Sequence, residues 1–157
     1  MAFKITPPIE KTFSLDRCDV NFPPDPADGD PEAAKPTTVT IVQAASGAIA
    51  ARNDLFSVFK RKYEKDGSVE VTQRLSFSDI RIKEIFLTLK ACNIRAPKGG
   101  LLFTFVNGKL ADEVKFKEAL ALVPQEVVDE IHEKVLEMNP VWADLEGTQG
   151  SDEENPL

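Results

Sequence analysis

The stretch PPDPADGDPEAAKP, Pro23–Pro36, limits the fold more than any other part of the chain. Its five prolines lack backbone N–H donors and lock φ in one narrow range, so neither a helix interior nor a central strand can run through it. Regular structure must stop before Pro23 and restart after Pro36. The segment is also hydrated, because Asp19 to Ala34 contains five acids and no base. Val141 to Leu157 repeats that composition, again with five acids and no base. The chain carries a net charge of −7, so these ten acids leave +3 on the remainder. The acidity therefore belongs to two segments and the rest is nearly neutral. This argues against a rigid acidic mimic of DNA. It also argues against nucleic-acid binding, since neither segment could neutralise phosphates.

Outside these segments the apolar residues switch between a period of 2 and a period near 3.6. FKIT and KTFSLDRCDVNF read as strand pieces, with Phe13 and Leu15 on one face. TTVTIVQ reads as a strand through its β-branched residues, with Val39 and Ile41 sharing a face. ASGAIAARNDLFSVFKRKYEKDG predicts a helix capped by Ser46 and stopped at Asp66-Gly67. Its inward stripe is Ile49, Leu55, Phe56, Phe59 and Tyr63, with Arg52, Lys60, Arg61 and Lys62 on the wet side. Asp54, Glu64 and Asp66 interleave with the KRK cluster, so it reads as a solvated face rather than a phosphate site. SVEVTQRL, Ser68–Leu75, alternates as a half-buried strand.

SFSDIRIKEIFLTLKACNI predicts a second long helix, capped by Ser78 and carrying Cys92. Ile82, Ile85, Phe86 and Leu89 form its buried stripe, and Arg81, Lys83, Glu84 and Lys90 stay wet. RAPKGG breaks it, and LLFTFVNGKL carries the Asn-Gly signature of a hairpin. DEVKFKEALALV predicts a short helix with Phe116, Ala119, Leu120 and Val123 inward. The last helix has Pro124 in its first turn, where proline costs least. Val127 or Val128, Ile131, Val135 and Met138 face the core, and Gln125, Glu126, Asp129, Glu130, Glu133 and Glu137 face water. Asn139-Pro140 ends it.

These patterns predict an α+β, helix-dominated single domain with a small antiparallel sheet or hairpin. The chain divides into an N-terminal strand segment (1–22), a Pro/Asp-rich linker or loop (23–36), a helical core (37–142) and a flexible acidic tail (143–157).

Catalytic signatures are missing. His132 is the one histidine, and HEKVL lacks the second histidine of a zincin helix. Cys18 and Cys92 form no C-x-x-C and read as free thiols. APKGGL is not a phosphate loop, and the acidic pairs fall on exposed faces. A non-enzymatic protein with no metal and no cofactor is expected. No apolar run reaches about 18 residues, and MAFKITPPIEKTF is no signal peptide, so a cytoplasmic chain without membrane contact is expected.

Three stretches in order, VTIVQAASGAIAARNDLFS, IRIKEIFLTLKACNI and ALVPQEVVDEIHEKVLEMNPVW, resemble the tail assembly chaperones of long-tailed bacteriophages. The resemblance spans roughly Thr37 to Trp142. It implies a protein of the infected bacterium's cytoplasm that binds the tape measure protein, keeps it soluble during tail assembly, and is absent from the mature virion. It further implies a longer form made by programmed frameshifting. The major tail tube protein is a second expected partner, and self-association is a further one. A holder of this kind needs apolar contact residues, and the candidates are Phe103, Phe105, Phe116 and Trp142. Phe56, Phe59, Leu89, Ile131 and Val135 are the expected core. The competing class is a small structural virion protein, such as a tail completion or head–tail connector subunit.

Overall fold

Phe13 and Leu15 are the first residues of the chain to reach the core, and they anchor its sheet. The computed structural model of the protein describes residues 1–55 and 76–143, the side chain of Asp28 excepted. Strand β1 (Glu10–Ser14) buries only Phe13. It pairs antiparallel with β2 (Thr38–Val42), with Phe13 opposite Val39 and Lys11 opposite Ile41. On its other side β2 pairs antiparallel with β3 (Leu89–Cys92), giving the order β1-β2-β3. Val39 and Ile41 are fully buried, as their alternation predicts for a sheet with one covered face.

Helix α1 (Asp16–Asn21) follows β1 directly, and α2 begins at residue 46 and is described to residue 55. Helix α3 (Phe77–Thr88) leads straight into β3. A two-stranded hairpin, β4 (Phe105–Val106) and β5 (Lys109–Leu110), turns at Asn107-Gly108. Both turn residues have positive φ, 54° and 72°, the conformation that a two-residue hairpin loop of this type requires. Helix α4 (Glu113–Leu120) is capped by Asp112, and α5 (Gln125–Met138) follows Pro124. α5 packs against α1, α3 and β2 and forms the spine of an α+β fold.

The core joins Phe13, Leu15, Val39 and Ile41 of the first half to Ile85, Leu89, Phe116, Leu120, Ile131 and Val135 of the second. Segment 1–22 thus contributes to the same core and is not a separate unit. The stretch after Phe22 also has local order. Asp25 and Asp30 each cap a short 3₁₀ turn, Pro26–Asp28 and Pro31–Ala34, by accepting an N–H two residues on. Prolines at the starts of these turns exclude longer helices but suit the first turn.

Several boundaries differ from the sequence expectation. DRCDVN is helical rather than extended, and FKIT forms no strand. α3 is capped by Ser76, whose hydroxyl accepts from the Asp79 N–H, rather than by Ser78. It ends at Thr88, so Leu89 and Cys92 lie on a strand and not on a helix, because LKAC pairs with the free edge of β2. α2 already includes Ser46, which therefore is not its cap, and Ile49 is exposed. The expected strand Ser68–Leu75, the core candidates Phe56 and Phe59, and the tail from residue 144 lie outside the described residues.

Trp142 folds back beside α5 and is 4% exposed, with the Arg52 guanidinium 5.2 Å from its ring centre. Truncating Trp142→Ala should lower stability by about 3–5 kcal/mol in urea unfolding, and native tryptophan emission should be blue-shifted. Water-like emission with an unchanged midpoint in the variant would contradict this packing.

Candidate functional site

Three polar residues lie in the interior, and the sequence pattern places two of them, Arg52 and Glu84, in water. Arg52 of α2, Glu84 of α3 and His132 of α5 are all nearly or fully buried. Arg52 Nε donates to Glu84 Oε2 at 3.0 Å, and His132 Nε2 lies 3.0 Å from Glu84 Oε1. Thr88 Oγ1 donates to the Glu84 carbonyl at 2.7 Å. Glu84 follows Ile80 and precedes Thr88 at intervals of four on one helix face, so the stripe that packs inward carries a carboxylate in its middle. A buried carboxylate without partners costs several kcal/mol, and two partners from two other helices offset that cost. The triad is therefore a clamp joining α2, α3 and α5.

α5 carries two further polar anchors. Glu130 is buried, and its two carboxylate oxygens accept the backbone N–H groups of Arg17 and Cys18 at 3.0 Å each. α1 has no side-chain cap of its own, so Glu130 supplies one from across the core. At the far end of α5, Asn139 Oδ1 accepts the Ala44 N–H at 2.8 Å and its Nδ2 donates to the Val135 carbonyl. The buried Glu130 corrects the sequence expectation that it faces water. Hydrophobic periodicity cannot register a buried polar residue whose partner comes from a distant part of the chain.

The candidate contact residues divide. Phe103 and Phe116 are 3% exposed, with tilted rings whose centres are 5.4 Å apart, and the Phe86 ring is also tilted against Phe116 at 5.6 Å. They and Trp142 are buried in the core, Phe116 on the inward face that its helical spacing predicts, so their side chains are not open to a partner in this structure. Phe105 is half-buried at the hairpin. Leu89, Ile131 and Val135 are in the core as expected.

The surface feature that can receive a partner is a cleft of about 850 Å³. One wall is the Pro/Asp-rich segment, the other is the loop 93–102, and the end is the α4–α5 junction. Ile94, Leu102, Val123 and Val127 belong to its apolar lining, and Phe22 and Leu122 stand exposed among it. Both walls carry charges, and an Arg95–Asp30 pair at 2.6 Å ties them together. Asn93 fixes the base by accepting the Thr38 N–H and donating to the Pro36 carbonyl, both at 2.8 Å. Sequence reading missed this cleft because its walls come from segments far apart in the chain.

Cys18 also lines the cleft, but burial and the neighbouring Asp19 and Glu130 carboxylates raise its thiol pKa, the reverse of an activated nucleophile. Burial pushes Cys92 up to about 12. Among the described residues no group of three or more His, Cys, Asp or Glu could hold a metal ion, and no helix is long and apolar enough to cross a membrane. No protein-family model, curated protein or solved structure matches the chain.

Two outcomes follow from these groups. Glu84→Ala removes the shared carboxylate from two buried partners and should destabilise the fold by about 3–5 kcal/mol in denaturant unfolding. A loss below about 1 kcal/mol would show that the clamp contributes little. For Cys92, the unfolded thiol ionises near the ordinary 9.0 while the folded one stays protonated to about 12. The unfolded state then binds fewer protons across that window, so stability should fall as pH rises from about 9 to 12. The fall should be smaller in Cys92→Ala; an equal fall in both proteins would contradict the assignment.

Proposed function

We propose that this chain is a non-enzymatic tail assembly chaperone of a long-tailed bacteriophage. It acts in the bacterial cytoplasm, binds the tape measure protein and keeps it soluble while tail tube subunits polymerise, and leaves before the virion is complete. Two things support the reading: the order of the three motif stretches, and the open cleft with its apolar lining. The cleft is the observation that carries it. A long helical chain without its tube exposes apolar faces that aggregate, and a groove lined by Ile94, Leu102, Val123 and Val127 offers such a face a matching surface. Charges of both signs on the walls suit the polar flanks of an amphipathic helix. The major tail tube protein is a second proposed partner, and a frameshifted long form would extend the chain beyond its acidic end.

The competing reading is a small structural subunit of the virion, favoured by one observation: the outer edge of β1 is unpaired among the described residues. Co-expression separates the two. The tape measure protein alone should be insoluble, and this protein should bring it into the soluble fraction with or without residues Gly147–Leu157. Its retention should survive added salt only in part, since the cleft lining joins the apolar Ile94, Leu102, Val123 and Val127 to charged walls. A partner that stays insoluble, or stoichiometric recovery of this protein from finished virions, would replace the chaperone with the structural subunit.

A further inference from the structure

Segment 1–22 holds a cluster of apolar side chains that nothing among the described residues covers. Phe3, Ile5 and Ile9 are 91%, 83% and 68% exposed, and Val20 and Phe22 of the α1 region are also exposed. Between them lies β1, the edge strand of the sheet. The ladder to β2 fixes which backbone groups of β1 are free. The Gln43 N–H donates to the Ile9 carbonyl and the Leu15 N–H to the Thr37 carbonyl, so odd-numbered residues bond inward. In an antiparallel ladder the intervening residues point the other way. The N–H and C=O groups of Glu10, Thr12 and Ser14 therefore face the open edge.

We infer that this edge pairs with the same edge of a second copy of the chain, antiparallel about a two-fold axis at Thr12, to form one continuous six-stranded sheet. The charges of β1 select that register. Centring on Lys11 would set Lys11 against itself, and centring on Glu10 would set Glu10 against itself; like charges directly opposite are destabilising. Centring on Thr12 sets Thr12 against Thr12, Glu10 against Ser14 and Lys11 against Phe13. The outward-facing residues then meet one another, with two N–H···O bonds in each narrow pair.

The same register names what covers the apolar arm. Beyond Ile9, each arm runs alongside the other copy's chain after Ser14, where α1 exposes Val20 and is followed by Phe22. The arm's one charged side chain, Lys4, arrives beside a helix whose first turn carries Asp16 and Asp19. Pro7-Pro8 offers no N–H donor, so the ladder stops after β1, and the two-fold pairing uses the β1 edge of both copies, so the contact closes as a dimer rather than extending into a fibre. This inference does not depend on the chaperone reading, because both that reading and the structural one allow a dimer.

The test is the mass of the full chain by light scattering and sedimentation over a micromolar concentration range. The wild type should reach twice the 17.3 kDa of a single chain. Thr12→Pro removes an N–H that points away from β2, a place where an edge strand tolerates proline, and should weaken the dimer at least tenfold. Thr12→Lys puts like charges on the axis and should do the same without touching the backbone. Amide exchange at Glu10, Thr12 and Ser14 should slow as concentration rises, while Lys11 and Phe13, bonded to β2, should not change. A single-chain mass at every concentration, a dimer that both variants retain, or concentration-independent exchange at those three amides would overturn the inference.

Discussion

The Glu84 carboxylate is the constraint around which the described helices are arranged. It is fully buried, so its charge must be met inside the protein, and the groups that meet it come from α2 and α5. A carboxylate in this position penalises any packing of α3 that does not bring Arg52 and His132 to it, because an uncompensated buried charge costs several kcal/mol. The apolar contacts around it are less particular, since hydrophobic burial has no direction of its own. The polar clamp thus selects one arrangement among several that would bury similar area. Arg52 continues the arrangement to Trp142, and so ties the chain after α5 to α2.

α5 is where these requirements meet. Its apolar residues, Val127, Val128, Ile131 and Val135, fill the core, while Glu130, His132 and Asn139 each tie down a different segment. Glu130 holds the start of α1, and Asn139 holds the chain leaving β2. The cleft depends on the first half of this helix: Val127 belongs to its lining, and α1, capped by Glu130, brings Cys18 and Asp19 to it. The cleft is therefore a by-product of how the polar anchors set α1 and the loop 93–102 around α5.

Much of this was legible in the sequence where local rules act alone. Asn107-Gly108 required a hairpin, Pro124 and Asn139-Pro140 bounded α5, and alternation placed Val39 and Ile41 inside. What was not legible has a common cause in distance along the chain. LKAC looks like the continuation of a helix until the free edge of β2 is present to pair with it. Glu84, Glu130 and Arg52 look solvated until partners 32 to 113 residues away satisfy them. Phe103 could not be sorted between surface and core from periodicity, because its burial comes from its packing against Phe116 of α4. The cleft is invisible for the same reason, being assembled from three separate segments.

In the proposed chaperone this polar frame presents the cleft to a helical partner. Hydrogen exchange of the co-expressed complex with the tape measure protein, compared with the chain alone, tests it most directly. The account predicts new protection in the cleft walls and end, at residues 93–102 and 121–127, with the amides of α3 and the middle of α5 unchanged. Protection that leaves the cleft untouched and falls elsewhere on the described surface would contradict it.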